Sequence, residues 1–191
     1  LRLPSDIHRA DASTYYIADT GNDRLRIVGY DPVEEEDAVN DVFTLDRFSY
    51  DFPFAVATGP ADRLVAYASL LSGPLLGRVD VENDELLNQW AGERDDPRCE
   101  PREGSPLPPI GIPVGLAGND DALWVADPYC KTVWQVEDTS AVAFVRDVRT
   151  DSHVEAAPKC SDGPAAFATF GAPMDVAILD GTVYVADAGC H

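Results

Sequence analysis

The sequence predicts an all-β fold built from one repeated antiparallel unit, and three observations lead to this prediction. Four prolines, Pro4, Pro53, Pro113 and Pro173, each precede a short, mostly apolar stretch and then a polar turn. A second apolar run ends 14 to 16 residues after each proline. No long segment has the 3.6-residue period of a helix, so the apolar runs are interpreted as strands.

Each unit can supply four short strands in a constant order. The first strand follows the proline, and the second is the apolar run. The third alternates apolar and polar residues, as in 24–28 and 132–136, and a fourth can follow, as in 85–90. The second run ends in a small or acidic residue, at Asp19, Ser69, Asp127 and Asp187. Four short strands per unit are typical of a β-propeller blade.

The blades are expected at about 1–48, 49–92 and 93–150, with an incomplete fourth blade at 151–191. About three and a half four-stranded blades are therefore visible as a single partial propeller. Closed propellers have roughly four to eight blades. We therefore expect a fragment of a longer chain, completed by missing blades of the same protein or by other protein chains.

The charge of the chain excludes two classes of partner. The 191 residues include 34 acidic and 14 basic side chains, a formal net charge of -20. Such a surface repels nucleic acid and anionic bilayers. No apolar stretch approaches the ~20 residues of a membrane span, so membrane insertion is not expected either. The acidic run at 32–41 is interpreted as a solvated face.

The stretch YYIADTGNDRLRIV at 15–28 resembles the NHL repeat family of β-propellers. LWVADPYCKTVWQV at 123–136 and VYVADAGCH at 183–191 resemble the same repeat over the strand and its aspartate. Cys130 and Cys190 stand where the family has asparagine, and Ser69 replaces the aspartate in blade 2. The resemblance covers nearly the whole chain and implies a propeller fold, whereas it says little about function.

The recurring aspartates are interpreted as structural turn residues. A carboxylate at the end of the second strand can accept backbone N–H bonds and pair with a nearby arginine. In the first repeat Asp19, Asn22 and Arg24 occupy the family's positions, and Asn22 is expected to tolerate a left-handed backbone. Asp127 and Asp187 are the equivalents of Asp19, and none of the three is assigned a catalytic role.

The four cysteines follow the repeat. Cys99 and Cys160 precede the next proline by 14 and 13 residues, whereas Cys130 and Cys190 each lie three residues after the aspartate. Three connectivities are open, and the repeat symmetry favours Cys99–Cys130 and Cys160–Cys190. Disulfides imply a secreted protein or another oxidising compartment. A metal site is the weaker alternative, since the chain has three histidines and no C-x-x-C.

Searches for catalytic motifs find no phosphate-binding glycine loop and no nucleophile elbow. His8 is interpreted as a surface residue. The segment VADPYCKTVWQV also resembles the blades of peptidyl-α-hydroxyglycine amidating lyases, and that resemblance implies zinc and calcium. Pro128, Lys131 and Val133 depart from that pattern. A metal-dependent enzyme of this kind, or a lactonase-like one, is therefore the alternative to a non-enzymatic role.

The predicted function is that of an extracellular protein-interaction or architectural module in a larger assembly. The polar, proline-rich insertions at 91–111 and 149–164 are the expected contact loops. No catalytic residue is assigned and no cofactor is firmly predicted. Calcium binding by clustered aspartates is left open without a coordination set.

Overall fold

A computed structural model places the chain in a series of antiparallel sheets. It describes residues 1–30, 37–38, 42–44, 53–59, 64–69, 75–80, 85–92, 97–100, 103, 109–119, 121–137, 140–145, 160–163 and 168–190. The regular structure in these ranges consists of fifteen strands and one turn of 3-10 helix at Thr20–Asn22. The all-β class predicted from the sequence is therefore confirmed.

The first sheet is formed by blade 1. Its first three strands are β1 (Asp6–Arg9), β2 (Thr14–Asp19) and β3 (Arg24–Tyr30), in that order across the sheet. Two short strands, β4 (Asp37–Ala38) and β5 (Val42–Thr44), both pair with β3. Both short strands therefore lie at the outer edge of this sheet.

The second and third sheets have four strands each, paired in chain order. Blade 2 contains β6 (Pro53–Thr58), β7 (Leu64–Ser69), β8 (Leu75–Asp80) and β9 (Glu85–Ala91). Blade 3 contains β10 (Gly115–Gly118), β11 (Leu123–Asp127), β12 (Thr132–Glu137) and β13 (Ser140–Val145). In blade 4 the described strands are β14 (Pro173–Leu179) and β15 (Thr182–Asp187), which form a two-stranded sheet.

The first strands of successive sheets lie side by side. Strand β1 contacts β6, β6 contacts β10, and β10 contacts β14. Hydrogen bonding within each sheet then runs outward from this inner strand. Sheets that meet at their first strands and extend outward in chain order are the blades of a β-propeller, so this part of the prediction is also confirmed.

The core lies between the blades. One cluster of buried side chains joins blades 2 and 3. Blade 2 contributes Ala55, Ala57 and Leu76 to it, and blade 3 contributes Leu123, Val125, Trp134 and Val136. On the opposite side of blade 3, Trp124, Ala126 and Val133 pack with Val176 of blade 4. Every residue of β11 is buried because a blade covers each of its faces. Burying each such large side chain stabilises the fold by roughly 1.5–3 kcal/mol.

Two glycines allow the inner strands to approach closely. A Cβ on Gly118 would lie 1.7 Å from the carbonyl oxygen of Thr58 in blade 2. A Cβ on Gly115 would lie 2.6 Å from the Cα of Asp175 in blade 4. The contact of β10 with both neighbours therefore requires glycine at these two positions.

Candidate functional site

The predicted turn residues lie on the face of the blades that also carries the cysteines. On this face, here named the disulfide face, the segment before each proline meets the turn between the second and third strands. Its described residues are 1–4 and 20–23 in blade 1, 109–112 and 128–131 in blade 3, and 168–172 and 188–190 in blade 4.

Asp127 joins these two segments in blade 3. Its side chain is fully buried. Oδ2 accepts hydrogen bonds from the backbone N–H of Gly111 at 2.7 Å and from the indole Nε1 of Trp134 at 2.8 Å. Oδ1 accepts from the backbone N–H groups of Ile112 and Cys130, both at 3.0 Å. Four donors thus converge on one carboxylate, and such charge-assisted bonds are stronger than neutral ones.

Asp187 makes the equivalent backbone contacts in blade 4. Oδ2 accepts from Gly171 N at 2.8 Å, and Oδ1 accepts from Ala172 N at 2.7 Å and from Gly189 N at 3.0 Å. In both blades the carboxylate holds the two residues before the proline and a residue of the following turn. We propose that the aspartate fixes the position of the turn relative to its own blade.

Asp19, the equivalent residue in blade 1, accepts one backbone hydrogen bond and two side-chain hydrogen bonds, one of them from a charged group. Oδ1 accepts from Arg2 N at 2.6 Å, and Oδ2 accepts from Asn22 Nδ2 at 2.8 Å and from Arg26 Nε. The nearby arginine that forms the ion pair with Asp19 is therefore Arg26. Arg24 lies directly opposite Asp19 in the β2–β3 pairing.

The left-handed residue of the blade 1 turn is Asp23, at φ 53°, and not Asn22 as expected. Lys131 occupies the same place in blade 3, with φ 50°. Asn22 instead lies within the 3-10 turn and donates its side-chain amide to Asp19. The amide therefore contributes a hydrogen bond, while the next residue takes the unusual backbone conformation.

The environment of Asp19 determines its charge state. Burial raises the pKa of this carboxyl group, but the hydrogen bonds from Arg2 N, Asn22 and Arg26 and the charge of Arg26 outweigh burial. Together they lower the pKa of Asp19 from an ordinary 3.8 to about 2. The folded protein therefore stabilises the ionised form of Asp19.

This pKa shift predicts a loss of stability in acid. The pKa of Asp19 is lower in the folded protein than in the unfolded chain. Its ionised form therefore contributes stability that is fully present above pH 3.8 and is lost as the pH falls towards 2. We expect the difference in unfolding free energy between wild type and Asp19→Asn, measured by urea titration, to shrink across this interval. A difference that stays constant from pH 5 to pH 2 would contradict the assignment.

Blade 2 lacks both parts of this arrangement. Ser69 takes the place of the aspartate at the end of the second strand. In blades 1 and 3 the side-chain donors Arg26 and Trp134 are the third residues of the third strand. The third residue of that strand in blade 2 is Gly77, which has no side chain. Of the three blades whose third strand is described, blades 1 and 3 have both the carboxylate and the side-chain donor, and blade 2 has neither.

Two disulfides close the same face. Cys99 is bonded to Cys130 with Cα atoms 5.3 Å apart, and Cys160 to Cys190 with Cα atoms 5.4 Å apart. This is the pairing that the repeat symmetry favoured. Cys130 also packs against the core between blades 2 and 3, whereas Cys160 is exposed. Each bridge therefore ties the turn after an aspartate to the segment that enters the same blade.

A second group of polar contacts joins the inner strands of blades 1 and 2. Val56 N donates to Asp6 Oδ2 at 2.9 Å, and His8 Nε2 lies 3.0 Å from Thr58 Oγ1. Burial raises the pKa of Asp6 and lowers the pKa of His8. His8 is half-buried at this contact between blades, although its sequence context had predicted a surface residue.

Two exposed apolar side chains lie on the disulfide face, beside residues that the aspartates hold by hydrogen bonds. Tyr129, between Asp127 and Cys130, is 52% exposed, and Leu3, next to Arg2, is 75% exposed. Leu3 also has a left-handed backbone, with φ 48°, which is uncommon for a leucine.

Most of the insertions at 91–111 and 149–164 lie outside the described residues, as does His191.

The described ranges contain no group of three or more His, Cys, Asp or Glu side chains arranged to hold a metal ion. Calcium binding therefore stays a prediction. Among the described residues, no helix is long and apolar enough to cross a bilayer.

Comparisons with known proteins were made for both sequence and structure. No family model and no curated protein matches the sequence. The WD40 β-propeller domain of Doa1 is similar in structure, with 12% sequence identity and a TM-score of 0.48. The likeness covers 75% of this chain and 41% of that one, so this chain spans less than half the length of the Doa1 domain. The fold assignment stands on the sheet topology described above.

Proposed function

We propose that this chain is part of an NHL-type propeller that acts as a protein-interaction or architectural module in an extracellular or other oxidising compartment. The observation that carries the proposal is the disulfide face. It combines exposed apolar side chains at Leu3 and Tyr129 with a backbone held by buried carboxylates and disulfides.

Rigidity of the contact residues favours binding. Tyr129 lies between Asp127, which accepts four hydrogen bonds, and Cys130, which is bonded to Cys99. A side chain presented on such a turn loses little conformational freedom when a partner covers it. Aromatic side chains are also enriched in protein interfaces.

The aspartates of this face support a structural role over a catalytic one. Both oxygens of Asp127 accept backbone N–H bonds, and both oxygens of Asp187 do so as well. A carboxylate that serves as acid, base or nucleophile needs an oxygen directed at substrate. The hydrogen bonds of these two side chains are directed at the protein's own backbone.

The charge of the chain indicates the kind of partner. A net charge of -20 favours a partner with a basic surface and gives an association rate that falls as salt is added. The disulfides support an oxidising compartment. We therefore propose an extracellular protein with a basic, partly apolar surface as the partner.

The proposal is tested by affinity capture from the extracellular fraction of the source, quantified by mass spectrometry. The double variant Leu3→Ser/Tyr129→Ser is compared with wild type and with Ile7→Ser, a control that removes an exposed apolar side chain from an inner strand. We expect partners that wild type and the control retain and the double variant loses. An identical set of bound proteins on all three would overturn the proposal.

The enzyme alternative is examined on the same purified protein. It is incubated with a peptidyl-α-hydroxyglycine and with a sugar lactone, in the presence of zinc and calcium. Turnover above that of the heat-denatured protein would favour the amidating-lyase-like or lactonase-like function over the module proposed here.

A further inference from the structure

His8 departs from a pattern that the other inner strands follow. The fourth residue after the repeated proline is alanine in blades 2, 3 and 4, as Ala57, Ala117 and Ala177, whereas blade 1 has His8 there. Ala57 belongs to the buried cluster that joins blades 2 and 3, and Ala117 packs with Val176 of blade 4. Side chains at this position therefore face the next blade, and blade 1 places a titratable ring there.

The ring of His8 reaches blade 2 through a single hydrogen bond. His8 Nε2 lies 3.0 Å from Thr58 Oγ1, and both side chains are half-buried. This contact lies where strand β1 packs against strand β6. The region formed by Asp6, His8, Val56 and Thr58 is here named the blade 1–2 seam. Among the described residues, the ring of His8 makes no second hydrogen bond.

Asp6 is the charged group on the same face of β1 as His8, because it lies two residues earlier on the strand. Its Oδ1 accepts from the backbone N–H of Ile7 at 2.8 Å, and its Oδ2 accepts from Val56 N across the seam at 2.9 Å. The carboxylate therefore attracts a protonated His8 by its charge without bonding to the ring. Arg9, the next residue, lies on the opposite face of the strand.

Three further titratable groups lie around this contact. Tyr16 lies directly opposite His8 in the β1–β2 pairing, Asp11 acts on Tyr16 from the following turn, and Asp175 of blade 4 acts on Asp6 through its charge. Burial and the charge of Asp11 raise the pKa of Tyr16 from an ordinary 10, and hydrogen bonds within its own turn lower the pKa of Asp11. Neither Tyr16 nor Asp11 therefore changes its charge in mild acid.

The surroundings of His8 favour its neutral form. A neutral imidazole has one N–H, whereas an imidazolium has two and carries a charge. Thr58 Oγ1 can accept from one of them only, so protonation leaves the other N–H half-buried without an acceptor. Burial lowers the pKa of His8 from an ordinary 6.5, and the attraction of Asp6 offsets this only in part. Opening the seam would return the charged ring to water.

The two titratable groups of the seam respond to acid with opposite signs. Because the pKa of His8 is lowered in the folded protein, the stability that its neutral ring contributes is fully present above pH 6.5 and is lost as the pH falls through the folded pKa. Burial raises the pKa of Asp6, so protonation of Asp6 stabilises the closed seam as the pH falls. The direction of the pH response therefore identifies the residue that causes it.

We propose that His8 is a pH switch at the blade 1–2 seam, where protonation of its ring in mild acid opens the contact between β1 and β6. Histidine-based sensors change protein interfaces at about pH 5–6. The switch is a conformational change of the chain itself, so it does not rest on the proposed interaction role.

The test is amide hydrogen exchange of the 191-residue chain at about pH 7.5 and about pH 5.5, followed by NMR and divided by the intrinsic rate at each pH. The reporter is the Val56 N–H, which bonds to Asp6 across the seam. Its opening should rise about three- to ten-fold in acid, since about ten-fold is the limit one pH unit below the ordinary histidine pKa. The control is the Ile112 N–H, which bonds to Asp127 in blade 3 and should change by less than about two-fold.

Two variants assign the response to the ring. His8→Ala introduces the residue that the other blades have at this position, and His8→Gln keeps an amide donor for Thr58, yet neither side chain can be protonated in mild acid. In both variants the opening at Val56 should agree between the two pH values within about two-fold. The ring proton signal that His8→Gln removes should titrate in wild type with a midpoint below 6.5.

Four outcomes would overturn the inference. The first is an equal opening of Val56 at both pH values in wild type, and the second is a rise that persists in both variants. The third is a rise that Ile112 shares, because acid would then act on the whole fold. The fourth is a decrease of opening in acid, which would assign the response to Asp6. The measurement involves no partner, so the interaction role and the pH switch can fail separately.

Discussion

Replacing Asp127 by alanine is expected to lower the free energy of unfolding by roughly 3–5 kcal/mol, because four donors lose one charged acceptor and each buried donor left unsatisfied costs about 1–3 kcal/mol. The carboxylate is fully buried and accepts four hydrogen bonds. Alanine would leave the N–H groups of Gly111, Ile112 and Cys130 and the indole of Trp134 without their acceptor. Unsatisfied buried donors retain their desolvation cost, which makes this the largest effect predicted for a single residue.

Two further variants separate the effect of losing the charge at Asp127 from the effect of substituting any aspartate in this blade. Asp127→Asn keeps one side-chain oxygen but turns an NH2 group towards donors, so an intermediate loss is expected. Asp121→Ala removes an exposed aspartate from the same blade and should change the free energy by less than about 0.5 kcal/mol. Urea unfolding followed by tryptophan fluorescence provides the measurement, with Trp134 in direct contact with the substituted site.

A loss below about 1 kcal/mol for Asp127→Ala would show that the hydrogen bonds of this carboxylate can be replaced, for instance by water entering the turn. The turn-fixing role proposed for Asp19 and Asp187 would then lose its main support, because all three side chains accept a backbone N–H bond from the segment before the proline.

The fold was largely predictable because each blade repeats its own pattern. Proline, an apolar strand, a turn and a second strand recur, and they mark strands that the structure places within a few residues, such as β6 (Pro53–Thr58) and β14 (Pro173–Leu179). The disulfide pairing was predictable for the same reason, since Cys130 and Cys190 occupy equivalent places after Asp127 and Asp187.

The donors to the carboxylates were not predictable from the family-like motif alone. Arg24 is closer to Asp19 along the chain, yet Arg26 makes the bond, and its counterpart in blade 3 is a tryptophan. Arginine and tryptophan share an N–H donor but little else, so residue similarity does not reveal the equivalence. The β-ladder register reveals it, because both residues stand opposite the position two before the aspartate.

Contacts between blades were the second feature that lay beyond prediction. His8 was expected at the surface because a short strand gives no sign of which neighbour will cover it. In the structure the inner strand of blade 2 covers it, with Thr58 at 3.0 Å. The close approach at Gly118 is of the same kind, since it depends on the placement of the Thr58 carbonyl.

The second large effect is expected from the disulfide between Cys99 and Cys130. Its sequence separation is 31 residues, and in the chain-entropy account a loop of this length stabilises by roughly 3–4 kcal/mol. We expect Cys99→Ala/Cys130→Ala to lower the free energy of unfolding by at least this amount. Cys130 also packs against the core between blades 2 and 3, so the double variant loses native contacts in addition.

The disulfide between Cys160 and Cys190 is the matched control. Its separation is 30 residues, so the unfolded-state contribution is nearly the same, but Cys160 is exposed. The difference between the two double variants in urea unfolding therefore isolates what Cys130 contributes through packing. A larger loss for Cys160→Ala/Cys190→Ala would contradict this account, because it would place the greater native-state contribution at the exposed bridge of the two-stranded blade.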